Sequence, residues 1–319
     1  MPAKLNLDLT RHTRLSLRLH RFRARWRRFF LVWQFFRRRP FGLLGLVLII
    51  GFGVMAAIHP LLIKTVWNRA VYDPIVGYDL AFDLHPTSPS RSHLLGTDNF
   101  GRDVLSQLIA GSQTSFGVGI VAALVAVTVS TLLGAAAAYF GSLVDVVLMS
   151  ISDVFVLMPA PVVMLIVGLL LRLEWPVVAI GYGLLAGLGG QTIVVKSQAL
   201  TIKVKPFIEA ARIAGGSRAH VIRKHILPGL VPLAIVHGVF TVVGAVLTES
   251  LLSFFGRTSY HLSWGMMIWL GQETFRWFSI SGQWNAILPP ALAIMLYCGS
   301  FYLVGRALDE VFNPRLRRR

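Results

Sequence analysis

The chain has 319 residues, 55% of them hydrophobic and 14% charged, and its mean hydropathy of +0.66 lies outside the range of a water-soluble domain. Its 31 Lys and Arg against 14 Asp and Glu leave +17, but the basic residues stand in blocks between apolar runs, which excludes a soluble nucleic-acid binder. One cysteine, Cys298, excludes an intramolecular disulfide framework and any Cys-rich zinc or iron–sulfur site.

Residues 1–40 form a basic arm with 12 Lys and Arg. Leu15, Leu19, Phe22, Trp26, Phe29, Trp33 and Phe36 recur in steps of four and three beside a stripe of Arg11, Arg14, Arg18, Arg21, Arg25 and Arg28. This spacing predicts an amphipathic helix lying in the membrane surface, arginines on anionic headgroups. An unstructured topological signal and a nucleic-acid tail are the alternatives. The start does not read as a cleavable leader, because the apolar stretch after it is long and ends at no small-residue site.

Six apolar runs follow: Phe41 to Ile63, Thr114 to Phe140, Val146 to Leu171, Trp175 to Val195, Gly229 to Phe254 and Ala286 to Gly305. Each is long enough to cross a hydrocarbon core of about 30 Å as a helix, and none alternates as a barrel strand would. The predicted fold is an all-α membrane protein with a six-helix domain over 41–305. Pro176 suits the first turn of the fourth span and Pro289 and Pro290 that of the sixth, whereas Pro159 and Pro161 should kink or unwind the third. Gly134 with Ala135–Ala138, and Gly183 with Gly187, offer small-residue faces for either a subunit interface or packing within one chain.

Of the 31 basic residues, 24 fall in the arm, in the segment 196–228 and in the tail 306–319, all on one side if there are six spans. Both termini are therefore expected in the cytoplasm, with the insertion at about 64–113 outside. Within that insertion, Asp73, Asp79 and Asp83 could meet an external partner or belong to a solvated loop. Only Asp153 and Glu249 are ionisable at membrane depth; each is either a pathway carboxylate or a buried hydrogen bonder in helix packing. Two isolated carboxylates make a poor ion relay, which disfavours an ion-driven carrier acting alone. His59 and His237 lack partners at metal-ligand spacing, so no metal site is expected.

No Gly-x-Ser-x-Gly elbow or HExxH helix occurs, and no lysine follows a glycine, so the phosphate loop of an ATPase is absent. No catalytic residue is assigned, and any energy for transport must come from another chain.

The segment 196–228 is too polar for membrane and too patterned for a loose loop. It reads Glu209-Ala210-Ala211-Arg212-Ile213-Ala214-Gly215, then basic residues, then His225-Ile226-Leu227-Pro228. This predicts a short helix of small residues, a glycine bend, and a second helix entering the membrane just after the proline.

That pattern resembles the Glu-Ala-Ala, glycine, Leu-Pro signature of the membrane subunits of binding-protein-dependent ABC importers. A second stretch, Leu95-Gly96-Thr97-Asp98-Asn99-Phe100-Gly101-Arg102-Asp103-Val104-Leu105-Ser106, is similar to the motif before the second span of the C-type permeases for dipeptides, oligopeptides and nickel. Leu252-Ser253-Phe254-Phe255-Gly256, Ser263-Trp264-Gly265 and Asn313-Pro314-Arg315 look like the same subfamily. The resemblance covers roughly residues 93–316. The loop Thr258-Ser259-Tyr260-His261-Leu262 lacks the prolines the family often has there, and the arm is longer than usual.

The resemblance implies a type I ABC importer architecture in the plasma (inner) membrane of a prokaryote. It implies a heterodimer with a homologous permease, two cytoplasmic ABC ATPases that carry ATP and Mg, and an extracytoplasmic solute-binding protein, with no cofactor or nucleic acid on this chain. Peptides are the implied cargo, with nickel or another small solute the alternative. Glu209, Ala210, Ala211, Gly215, Ile226, Leu227 and Pro228 are the implied ATPase-coupling residues, Gly215 allowing a bend that a Cβ would obstruct.

Overall fold

The structure is a computed structural model and describes residues 30, 32–82, 85–258, 262–278 and 284–312, the side chains of 273–278 excepted. The arm residues Leu15 to Phe29, with the arginine stripe Arg11 to Arg28, lie outside the described residues, as do Asp83, Ser259 to His261 and Asn313 to Arg319. Among the described residues every regular element is a helix, and the isolated bridges Thr97–Asp103 and Leu173–Thr258 are the only extended pairings.

Helix α1 (Pro40–Thr65) opens on a proline in its first turn, where the missing N–H would have had no partner. A single turn, α2 (Arg69–Tyr72), is capped by the Asn68 side chain, which accepts from Ala70 N–H at 3.0 Å. Helix α3 (Val104–Phe140) has 37 residues, about 55 Å at 1.5 Å per residue. It begins ten residues before the apolar run because Asp103 caps it and the polar residues of its first turns are satisfied: Ser106 Oγ donates to Tyr72 O at 2.5 Å and Gln107 Nε2 to Asp98 Oδ2 at 2.8 Å.

The next two spans are broken. Helices α4 (Ser142–Leu157) and α5 (Ala160–Leu170) meet at 76° across Met158 and Pro159, as the two prolines predict. Helices α6 (Trp175–Leu188) and α7 (Gly190–Lys203) meet at 45° across Gly189, a bend the apolar run did not announce. Helix α8 (Pro206–Ile213) and the single turn α9 (Arg218–Val221) follow. A π-turn over Ile222–Ile226 then joins α9 to α10 (Leu227–Phe254) as one run of 37 residues. The second helix therefore starts before Pro228, not after it. The turn is widened just ahead of that proline, whose ring would meet the Lys224 carbonyl in a regular helix.

Helices α11 (Trp264–Phe278) and α12 (Trp284–Phe312) complete the chain. Pro289 and Pro290 lie inside α12, one turn deeper than the sequence suggests. The extra turn is held by Asn285, whose amide donates to the carbonyls of Thr87, Leu95 and Thr97 at 3.0–3.4 Å. Four helices are long and apolar enough to cross a membrane, and each bent pair supplies one more span, which gives six among the described residues.

Helix α3 is the centre of the bundle, with α6, α7 and α10 around it. The small-residue faces pack within the chain: a Cβ on Gly183 would stand 2.7 Å from Ala122 O, one on Gly187 2.9 Å from Ala126 O, and one on Gly134 2.9 Å from Thr192 O. Without a hydrophobic force between helices in lipid, such close approach maximises dispersion contact. By contrast α4 and α5 present most of their apolar side chains outward, among them Leu143, Val146, Leu157 and Leu170.

Candidate functional site

The segment between α7 and α10 forms an elbow at the basic end of the bundle. Pro206 starts α8, and Ile208, fully buried, drives that helix onto a cluster of Ala199, Ile202, Val221, Ile226 and Leu230 beneath it. Lys203 pins the elbow to α3: its Nζ donates to Ala138 O at 2.8 Å and Tyr139 O at 3.0 Å, carbonyls of the last turn of α3 that lack helical partners. Arg212 lies over the Tyr139 ring at 5.3 Å, and Lys196 pairs with Asp145 at the start of α4. Elbow, α3 and α4 are thus tied by charge as well as packing.

Helix α8 ends in three backbone bonds, from Ala214, Gly215 and Gly216 N–H to the carbonyls of Ala210, Arg212 and Ala211. Gly215 has φ +82°, a left-handed conformation that costs an L side chain about 1–2 kcal/mol. No atom lies within 4 Å of where its Cβ would stand. Glycine is therefore favoured by the dihedral angle of the bend and not by crowding from neighbouring atoms. Ser217 then caps α9 by accepting from His220 N–H at 3.3 Å.

The sequence-predicted residues divide into two groups. Glu209, Ala210, Gly215 and Pro228 are exposed, and Ala211 and Leu227 are half-buried, packed against the cluster. Ile226 is fully buried in that cluster, so it holds the elbow in place and cannot itself touch a partner. Sequence reasoning did not single out the apolar residues beside them: Val204 and Ile213 are each 82% exposed, and Phe207 is exposed with its ring 6.1 Å from that of His225. Isoleucine between Arg212 and a glycine turn, at the basic end of the chain, is the signal that could have found this surface. Exposed apolar side chains grouped around an acidic residue make this surface the candidate docking face.

At the opposite end, residues 66–103 build a hydrogen-bonded cap. Asp98 accepts from Phe100 and Arg102 N–H and pairs with the Arg102 guanidinium, with Nε at 2.7 Å. Gly96 and Gly101 have φ +75° and +77°, and a Cβ on Gly96 would stand 2.3 Å from Thr87 O. Thr97 Oγ1 accepts from Thr87 N–H at 2.8 Å and meets His85 Nδ1 at 2.9 Å. Asp103 caps α3 with one oxygen, 2.6 Å from Ser106 N, and meets His93 Nδ1 at 2.8 Å with the other. The other nitrogen of His93, which is fully buried, faces Asp79 Oδ2 at 3.1 Å. Burial pushes the Asp103 carboxyl above the usual range, partly offset by the His93 and Ser106 bonds. The Ala81 N–H bond holds Asp79 below it. Asp73 likewise accepts from Ile75 and Val76 N–H, so both aspartates order the backbone of the loop they stand in. Asp103→Ala removes the cap and strands His93, and is expected to cost about 2–3 kcal/mol, read as a drop in the thermal unfolding midpoint in detergent.

The two membrane-depth carboxylates differ. Glu249, 1% exposed, accepts from Ser253 Oγ at 2.6 Å within a hydroxyl cluster that includes Thr258 and Ser263. Asp153 is exposed on α4. Among the described residues no group of three or more His, Cys, Asp or Glu could hold a metal ion.

Comparison with known proteins locates the elbow within a described family. The family described as binding-protein-dependent transport system inner membrane component matches residues 130–318. The chain is 30% identical over 288 residues to the dipeptide transport system permease protein DppC of Bacillus subtilis, covering 90% of this chain and 85% of that protein. It is 31% identical to a putative peptide transport system permease protein of Brucella abortus, over 72% of this chain and 76% of that one. To the oligopeptide transport system permease protein OppC of Haemophilus influenzae it is 29% identical, with coverages of 76% and 78%.

Proposed function

This chain belongs to the inner-membrane components of binding-protein-dependent transport systems, and from that premise we propose that it is a permease subunit of an ATP-driven importer of peptides. It is a multi-pass membrane protein whose spans form part of a passage, completed by a homologous permease against the outward apolar faces of α4 and α5. Both termini and the elbow lie in the cytoplasm, on the side that carries most of the positive charge. ATP and Mg belong to two partner ATPases, and this chain performs no catalysis of its own. The cap faces the other side, where an extracytoplasmic solute-binding protein delivers cargo. Peptide cargo rests on the three relatives described above.

One observation carries the coupling role: Val204, Phe207 and Ile213 stand exposed around Glu209 on an elbow whose underside is sealed. They would seat in a cleft of one ATPase. Closure of the nucleotide-bound dimer would move α8 and, through it, the spans between inward- and outward-facing states. Ile213→Ala removes apolar area worth about 1 kcal/mol and is expected to weaken ATPase association about fivefold, measured by co-purification at graded concentrations.

The function itself is tested in vesicles holding the permease pair, the ATPases and the binding protein. Uptake of labelled di- and oligopeptides is expected to need all components and ATP. Transport by this chain alone, without nucleotide, would sink the reading.

A further inference from the structure

At the basic end of the bundle, the start of α1 and the end of α12 enclose a groove of about 550 Å³. Three guanidinium groups line its rim, those of Arg38, Arg39 and Arg306. Among the described residues Glu310 is the only acidic one lining it, and it gathers two of those guanidiniums: Arg39 Nη1 is 3.1 Å from Glu310 Oε2 and Arg306 Nε 3.7 Å from Oε1. The rim therefore carries a net +2. The walls are apolar, formed by Phe41, which is 70% exposed, with Tyr302 and Leu303.

The groove sits where charged sequence gives way to apolar sequence on both helices. Arg38 and Arg39 directly precede the apolar helix α1, and Arg306 directly follows the apolar run that ends at Gly305. The two helices are held together below it by close contact: a Cβ on Gly42 would stand 2.5 Å from Ala307 Cβ, and one on Gly45 2.6 Å from Ser300 O. The walls thus belong to one fixed seam that runs from the charged rim toward the bilayer interior.

We propose that this groove binds an anionic phospholipid, its phosphodiester held by Arg38, Arg39 and Arg306 and one acyl chain laid along Phe41, Tyr302 and Leu303. Guanidinium offers paired donors that match phosphate oxygens, and a rim of net positive charge over an apolar wall is the inverse image of such a lipid. The segments of this chain outside the described residues are poor occupants by charge. Residues 1–29 carry nine Lys and Arg against one Asp, and residues 313–319 carry four Arg and no acid. The inference needs only a membrane location and is independent of the transported cargo.

The test is native mass spectrometry of the full-length chain, released from detergent after incubation with equal amounts of dioleoyl phosphatidylglycerol and dioleoyl phosphatidylcholine. The parent is expected to retain phosphatidylglycerol preferentially. Arg38→Gln with Arg306→Gln, both at exposed side chains, is expected to lower that preference about tenfold. Arg37→Gln, exposed but outside the groove, is expected to leave it unchanged. With the arginines intact, Phe41→Ser is expected to reduce retention severalfold. The proposal is overturned if the parent shows no preference, or if Arg37→Gln has as large an effect as the double variant. It is equally overturned if millimolar inorganic phosphate displaces the lipid, or if binding appears only after removal of residues 1–29, which would show the groove to be filled by the chain's own arm.

Discussion

Gly215→Val is expected to reduce ATP-driven uptake more than tenfold while membrane insertion and protein level stay at parental values. The substitution places a β-branched residue at φ +82°, outside the conformations it readily adopts, although the surrounding space is open. The backbone therefore relaxes by leaving the left-handed turn, and the bonds that close α8 onto Ala210, Ala211 and Arg212 are lost with it. Ile208 and the cluster beneath remain packed, so the elbow is misdirected without unfolding the bundle. The diagnostic reading is ATPase activity that persists but no longer rises with loaded binding protein. Gly215→Asn, which tolerates the same dihedral angle, is expected to restore much of the uptake. Full uptake by Gly215→Val would show that the turn has no part in coupling.

Trp264→Ala is expected to produce the largest loss of stability of any single change considered, about 3–5 kcal/mol. The indole is fully buried where four helices meet. Its ring lies tilted at 5.6 Å from Phe52 of α1 and edge-to-face at 5.5 Å from Tyr297 of α12, and its Nε1 donates to Leu108 O of α3 at 2.9 Å. Gly111 of α3 leaves the space it fills: a Cβ there would stand 3.0 Å from the indole. In a bilayer, where burial of apolar surface gives helices little reason to associate, lost packing contacts are the main cost. Thermal unfolding in detergent should show the drop, and Trp264→Phe should recover part of it. A parental midpoint in Trp264→Ala would mean that α11 packs on the bundle by other contacts.

Much of the fold is legible in the residues themselves, because membrane spans must be long, apolar and helical. The kink at Pro159 was equally readable, since proline removes a donor and collides with the preceding turn. The bend at Gly189 was not. Gly189 and Gly190 lie inside an apolar run where glycine is tolerated, and only the 45° turn separates a break from a packing position. The ten extra residues of α3 were hidden for another reason: hydropathy cannot register a helix whose polar first turns are satisfied by a neighbouring cap.

The site divides along similar lines. The spacing of Glu209, Gly215 and Pro228 marked the elbow, but pattern alone could not separate Ile226, which is sealed inside, from Ile213, which is exposed. The bend at Gly215 was readable, but only its φ of +82° and the open space around it separate dihedral preference from crowding, which select the same residue. The buried pairing of His93 with Asp79 and Asp103 joins positions 14 and 10 residues apart through a folded loop, and no local period announces it.

The bond from Lys203 to the last carbonyls of α3 gives the elbow a mechanical reach beyond its own eight-residue helix. Helix α3 has no proline and no break over its 37 residues, and its far end is clamped by Asp103 into the cap. Elbow and cap are therefore joined by one unbroken helix, while the spans α4–α5 and α6–α7 beside it are each bent once. On the coupling role proposed above, a displacement of the elbow would reach the opposite face along that one stiff member.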